Sequence, residues 1–348
     1  MNPHYDPSQT HHRPDGFRNR NHDFVPKSLA EVLRWRRNAA RNDLPPPPQT
    51  PTPSVAPDLH FLRANAAAGA GMAPAVTWIG HATAMAQLGG ITLLTDPMFS
   101  ERASPLSFTG PRRHLPPGIA AADLPRIDLV LVSHNHYDHL DTASVRALNA
   151  QAGGPPRFIV PLGLRGWLAE RGIRAAVELD WWQVHRIAGP KGDIDVMLSP
   201  DQHWNGRGLR DRMATLWGGF AVFAPDCHLF YAGDTGYSRD FSDLREHVAE
   251  RQRPDVGGGF DIALLPIGAY EPRWFMTPQH VNVAEPVKIH RDLGAKRSLG
   301  VHWGTFELTD EPLDEPPRQL PHEARAAGLV EEEFFVLAVG ETRRLAPR

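Results

Sequence analysis

Residues 134–139 read His-Asn-His-Tyr-Asp-His, which places three imidazoles and one carboxylate within six positions. Neutral imidazole and carboxylate are the ligands that Zn²⁺ and similar borderline cations prefer. Without a cation between them, histidines packed so closely would face one another for no structural gain. His134 and His136 are two apart, so in an extended chain both side chains point to one side and can grip one metal. Asp138 and His139 then turn away and can serve a second. The stretch follows an apolar run over 127–132, so a buried strand would end where the ligands begin.

Further ligands stand at the ends of other short apolar runs. His203 follows 193–198, Asp234 follows 228–231 and His302 follows 296–299, each flanked by small or turn-forming residues. Their recurrence in one topological position, together with the six-residue motif, points to a shared cage. Asp141 is placed to cap a helix over 142–149.

With its distant His, its Gly-Asp-Thr carboxylate and its late His, the chain resembles the metallo-β-lactamase-fold hydrolases. More narrowly it resembles the group of N-acylphosphatidylethanolamine-hydrolysing phospholipases D. That likeness rests on Thr95-Asp96-Pro97, residues 133–141, Gln202-His203-Trp204, residues 231–236, the string Pro-Ile-Gly-Ala-Tyr-Glu-Pro-Arg-Trp-Phe-Met over 266–276, Gln279-His280-Val281 and residues 301–306. It spans about residues 60–340. No expected metal position departs from the family pattern.

The resemblance implies a four-layer αββα sandwich and two Zn²⁺ ions (iron or manganese being the rival metals). It implies His134, His136 and His203 on one ion, Asp138, His139 and His302 on the other, and Asp234 bridging. Two such ions sit about 3.5–4 Å apart and share a hydroxide that attacks phosphorus or a carbonyl carbon. Asp138 would orient the nucleophile. His280 is the candidate for donating a proton to the leaving group or positioning substrate. Asp96 would brace a ligand imidazole from behind. The implied substrate is a phospholipid of the N-acylphosphatidylethanolamine type; the alternative is a small phosphorylated lactone or another ester on the same metals. A homodimer and a peripheral membrane contact belong to the same implication.

The rest of the chain agrees with an α/β class independently. Strand-like runs fall at 76–79, 84–88, 91–94, 157–160, 216–223 and 261–265, with Gly89-Gly90 reading as a hairpin turn. Helix-length segments lie between them at 162–171, 242–252 and 283–293. No repeat appears at a fixed period. Residues 59–348 are expected to form the catalytic domain. Residues 1–58 are rich in Asn, Arg, His and Pro and read as a tail or wrapping arm, with a short helix over 28–41. Its histidines, His4, His11, His12 and His22, read as solvated. Trp181-Trp182, Trp274-Phe275-Met276 and Phe306 read first as core and second as the lining of an apolar groove, and 104–114 reads either as a solvated loop or as one that closes over the site.

No apolar signal segment opens the chain, and no run is long enough to span a bilayer. The single cysteine, Cys227, precludes an intrachain disulfide and fits a reducing, cytoplasmic setting. With 37 basic and 40 acidic residues, the net charge of −3 gives no support to a nucleic-acid partner or to a nuclease of this fold. A non-catalytic binding role is disfavoured because all seven metal ligands are present.

Overall fold

The computed structural model describes residues 2–208 and 210–348. Two seven-stranded mixed sheets carry the molecule. The first runs, edge to edge, Thr342–Arg344, Ala75–Gly80, Thr83–Leu88, Ile91–Thr95, Leu129–Leu131, Arg157–Pro161 and Ala176–Leu179. The second runs Phe334–Phe335, Ser298–Val301, Ile262–Pro266, Cys227–Tyr231, Gly219–Ala224, Gly192–Ser199 and Val184–Gly189. Each contains an antiparallel meander that passes into parallel strands, so the halves echo one another in topology although no repeat is visible in sequence.

The side-chain alternation of a strand explains the layering. Leu129, Leu131 and Ile159 point into the core between the sheets, with Trp78, Val196, Phe220 and Leu229. Val130, Phe158 and Val160 point outward, onto Val145, Leu148, Leu164 and Leu168 of the covering helices. Strands buried on both faces must be apolar throughout, which is why they read as continuous runs.

Local signals operate as the residues suggest. Gly89 and Gly90 take φ of +62° and +83°, the left-handed pair that a two-residue hairpin needs. Asp141 accepts the Ser144 amide at 3.0 Å and starts Thr142–Asn149. Some bounds differ. The strand before the motif is only Leu129–Leu131, shorter than the apolar run, and the Asp128 carboxylate accepts the Thr92 amide at 2.9 Å just ahead of it. The run from 216 begins its strand at Gly219, since Leu216 and Gly218 first bond to Leu162 and Ser133 across the gap between sheets. The expected helix over 242–252 divides into Asp240–His247 and a separate turn, Ala249–Gln252.

The N-terminal arm is fastened to the body at many points. Ser28 and Glu31 form a reciprocal cap for helix Leu29–Arg41. Trp35 donates to Asp310 at 2.8 Å, Thr52 donates to the Gly304 carbonyl at 2.9 Å and Val55 pairs with Val339. The expectation that the early histidines are all solvated fails for two of them. His11 and His12 are buried and lie 2.7 and 3.0 Å from the two oxygens of Asp180, with His11 stacked on Trp181. His12 Nδ1 accepts the Asp6 amide, so its Nε2 carries the hydrogen given to Asp180. The trio is thus a hydrogen-bonded clasp, formed because a buried carboxylate needs donors on both oxygens.

Candidate metal centre

The seven expected ligands converge at the carboxyl-terminal ends of strands from both sheets. His134–His139 follows Leu129–Leu131, His203 follows Gly192–Ser199, Asp234 follows Cys227–Tyr231 and His302 follows Ser298–Val301. His134 Nε2 and His136 Nδ1 are 2.9 Å apart, and His203 Nε2 is 3.3 Å from the latter. In the second group, His139 Nε2 and His302 Nε2 are 3.1 Å apart, and each is 3.4 Å from Asp138 Oδ2. Asp234 stands between the groups. Its Oδ2 is 3.1 Å from His139 Nε2, 3.9 Å from His134 Nε2 and 4.0 Å from His203 Nε2, and its Oδ1 is 3.1 Å from His302 Nε2.

Hydrogen bonds behind the rings fix three tautomers. His139 Nδ1 donates to Asp96 Oδ2 at 2.6 Å and His203 Nδ1 donates to the Gln279 carbonyl at 2.9 Å. Ser133 gives its hydroxyl hydrogen to Asp96 and accepts from His134 Nδ1 at 2.9 Å. In the neutral rings that a metal requires, all three Nε2 atoms are therefore bare lone pairs, aimed at one another and at two carboxylates. Such a convergence of acceptors is repulsive unless a cation sits among them, so the residues fit a pair of divalent ions. Asp96 is the hub of this bracing. It also accepts the Ser133 amide at 2.7 Å and the Tyr231 hydroxyl at 2.5 Å.

Burial and neighbouring charge act differently on the two groups. Burial, then the adjacent imidazoles, hold His134 and His136 well below the usual histidine range, and burial brings His203 down to about 4. Burial also opposes protonation of His139 and His302, but Asp234 and Asp138 outweigh it. They hold His139 well above its ordinary value and lift His302 to about 9. Burial raises the carboxyls of Asp138 and Asp234, and the facing histidines more than reverse it, so both stay ionised.

Residues 92–303 match the beta-lactamase superfamily domain. "N-acyl-phosphatidylethanolamine-hydrolyzing phospholipase D 1" of Caenorhabditis elegans is 39% identical over 277 residues, 76% of this chain and 74% of that one. The chain belongs to the metallo-β-lactamase superfamily, on its N-acylphosphatidylethanolamine phospholipase D-like branch. It is a metal-dependent hydrolase by that membership. The mitochondrial protein of the same name from Saccharomyces cerevisiae is 37% identical over 245 residues, 70% of this chain and half of its own length. The crystal structure of "a possible metal-dependent hydrolase" from Veillonella parvula superposes with a TM-score of 0.61 at 16% identity, covering 78% of this chain and all of that one. It shares the fold.

The superfamily centre gathers residues beyond the seven. His280 lies on a turn before helix Ala284–Leu293, with Nδ1 4.0 Å from Asp234 Oδ2 and its ring edge-on to His203. Burial drives it down to about 3, so the ring is neutral. Arg273, itself paired with Glu285 at 3.0 Å, holds the His280 carbonyl at 2.9 Å. His81, in Gly80-His81-Ala82 and absent from the sequence-based expectations, sits 3.0 Å from Asp138 Oδ2.

The arm also reaches the centre. Asn19 bonds both backbone groups of His203, at 2.9 and 3.2 Å, and Phe24 stacks on Trp204, which packs edge-on to His136. Not all expected residues line a groove. Trp181 serves the arm clasp and Phe275 is buried, whereas Trp274 is 42% exposed. In the 104–114 segment Arg113 is tied to the Met98 and Ser100 carbonyls and lies over Phe306, while Phe108 is exposed. A cavity of about 1020 Å³ lies beside Asn135 and Tyr137, but none of the seven candidate ligands lines it.

Proposed function

We propose that the protein hydrolyses N-acylphosphatidylethanolamine-type phospholipids by phospholipase D chemistry at a binuclear site. His134, His136 and His203 would hold one cation, Asp138, His139 and His302 the other, with Asp234 shared. The observation that carries the reading is the set of braced, bare imidazole nitrogens facing two ionised carboxylates. The names of relatives at 37–39% identity supply the substrate class. The imidazole–carboxylate set favours zinc.

Two such ions would supply Lewis acidity to phosphoryl oxygens and acidify a water toward neutrality. The protein's residues arrange the remainder. Asp138 is ionised and partly open to solvent, so it accepts a hydrogen from the attacking water and aims its lone pair at phosphorus. His280 is neutral and buried beside Asp234, which suits a hydrogen-bond donor to a phosphoryl oxygen better than an imidazolium acid. Attack at phosphorus breaks the bond to the ethanolamine oxygen, which takes up the proton lost by the attacking water, and releases N-acylethanolamine and phosphatidic acid.

Among the described residues no helix is long and apolar enough to cross a membrane. Helix Leu29–Arg41 nevertheless exposes Leu29 and Leu33 beside Arg34, Arg36, Arg37 and Arg41, a composition suited to resting on an anionic bilayer. The decisive assay compares N-acylphosphatidylethanolamine vesicles, a water-soluble phosphodiester and a phosphorylated lactone. The vesicle substrate is expected to give the highest kcat/KM. Turnover of the lactone alone would replace the phospholipid reading with the small-ester one.

A further inference from the structure

We propose that His81 is a positioning residue that fixes the Asp138 carboxylate for its two tasks, a proposal that rests on the binuclear reading above. The relevant facts are geometric. His81 is 1% exposed, on the turn joining strands Ala75–Gly80 and Thr83–Leu88. Its Nε2 is 3.0 Å from Asp138 Oδ2. An ionised carboxylate only accepts, so Nε2 carries the hydrogen. A protonated Nε2 cannot ligate a metal. The other ring nitrogen, Nδ1, is buried with no partner. His81 Nε2 belongs to the cluster with Asp138, His139 and His302 that could itself surround an ion, and the contact with Asp138 makes it the donor to a ligand in this proposal.

The backbone supports that assignment. His81 has φ of +53°, a left-handed conformation that side-chain-bearing residues rarely adopt. Three bonds hold it there. Its amide donates to Thr305 Oγ1 at 2.8 Å, and its carbonyl accepts from the His302 amide at 3.0 Å and the Trp78 indole at 2.9 Å. The ring lies 4.0 Å from that of His302 and meets Phe306 edge-on. His81 thus links two loops that carry ligands, the one with Asp138 and the one with His302.

The consequence concerns rotation. Asp138 has 14% of its side chain open to solvent, while His139 and His302 are closed in. A carboxylate at an open edge is free to swing outward or to chelate through both oxygens. The hydrogen from His81 holds Oδ2 against His139 and His302. That leaves the second oxygen to receive the hydrogen of the attacking water.

The test uses the full-length protein loaded with zinc or cobalt. H81F keeps an aromatic ring against His302 but removes the donor; H81Q keeps an N–H. H81F is expected to weaken the second cation, and to lower kcat with KM unchanged, by about 10- to 100-fold. The visible spectrum of its cobalt form should change, and H81Q should recover most of the loss. Equal failure of H81F and H81Q would mark His81 as a ligand or packing residue and overturn the proposal. So would H81F with unaltered affinity, spectrum and kcat. If either variant fails to fold, nitrogen-15 NMR of the histidines in unaltered, zinc-loaded protein decides: a protonated Nε2 on His81 supports the proposal, and a bare one ends it. Unaltered protein that binds no metal would instead sink the binuclear reading itself.

Discussion

The two halves of the metal centre are built from adjacent residues yet differ in charge. His134, His136 and His203 form a neutral socket of three imidazoles, each held below the usual histidine range. Asp138, His139 and His302 form an anionic socket, where carboxylates outweigh burial and favour protonated rings until a cation enters. One six-residue motif supplies both, because His134 and His136 face one way and Asp138 and His139 the other. The lesson is that the sockets should fill differently: the neutral one by lone-pair donation alone, the anionic one by exchanging protons for metal.

The largest test removes what the sockets share. Asp234 is within 4.0 Å of ligand nitrogens on both sides. Asp234→Asn keeps the shape but deletes the charge. Elemental analysis should show metal falling from about two per chain, with loss from both sockets. Turnover should drop by more than about 100-fold, beyond what residues one layer behind a metal cause. Two retained ions and normal turnover would deny Asp234 its shared place.

A smaller effect separates the sockets by pH. Ligand rings must be neutral to bind. His302 in the metal-free protein is raised to about 9, so at pH 7 it holds a proton that the second cation must displace. Apparent affinity of the anionic socket should rise with pH as His302 and His139, both raised by the facing carboxylates, give up their protons. His203 is lowered to about 4, so the neutral socket should bind with little proton release from pH 6 to 9. Zinc titration with a pH indicator reads this directly. Equal proton release in both binding steps would mean that the sockets do not differ as described.

How much of this was readable beforehand follows from where the signals lie. The clustering of the seven candidate ligands was legible because they stand after apolar runs, and the motif compresses four of them into one window. Asp141 and Gly89-Gly90 announced a cap and a turn by residue type alone. His81 gave no such signal: its role comes from a left-handed backbone and a partner 57 positions away. His11 and His12 misled because their acceptor, Asp180, is 168–169 residues distant. Strand Val184–Gly189 alternates exposed and half-buried residues at a sheet edge and has no apolar run to betray it. Helix Glu315–Ala326 hides behind Pro316, Pro317 and Pro321.

The arm sharpens the comparison most finely, because it touches one socket and not the other through a ligand's backbone. Asn19 is 3% exposed and satisfies both the amide and the carbonyl of His203. Asn19→Ala leaves those two buried groups unpaired, a cost of about 1–3 kcal/mol each if nothing else reaches them. The His203 ring would remain bonded to the Gln279 carbonyl but lose its anchored backbone. The expected outcome is modest: a lower thermal midpoint and faster zinc loss from the neutral socket alone. Chelator competition on the Asn19→Ala protein should therefore show one weakened site and one unchanged, the unchanged one keeping the pH dependence set by His302. If both sites weaken equally, the arm steadies the whole centre, and the difference between the sockets lies only in their charges.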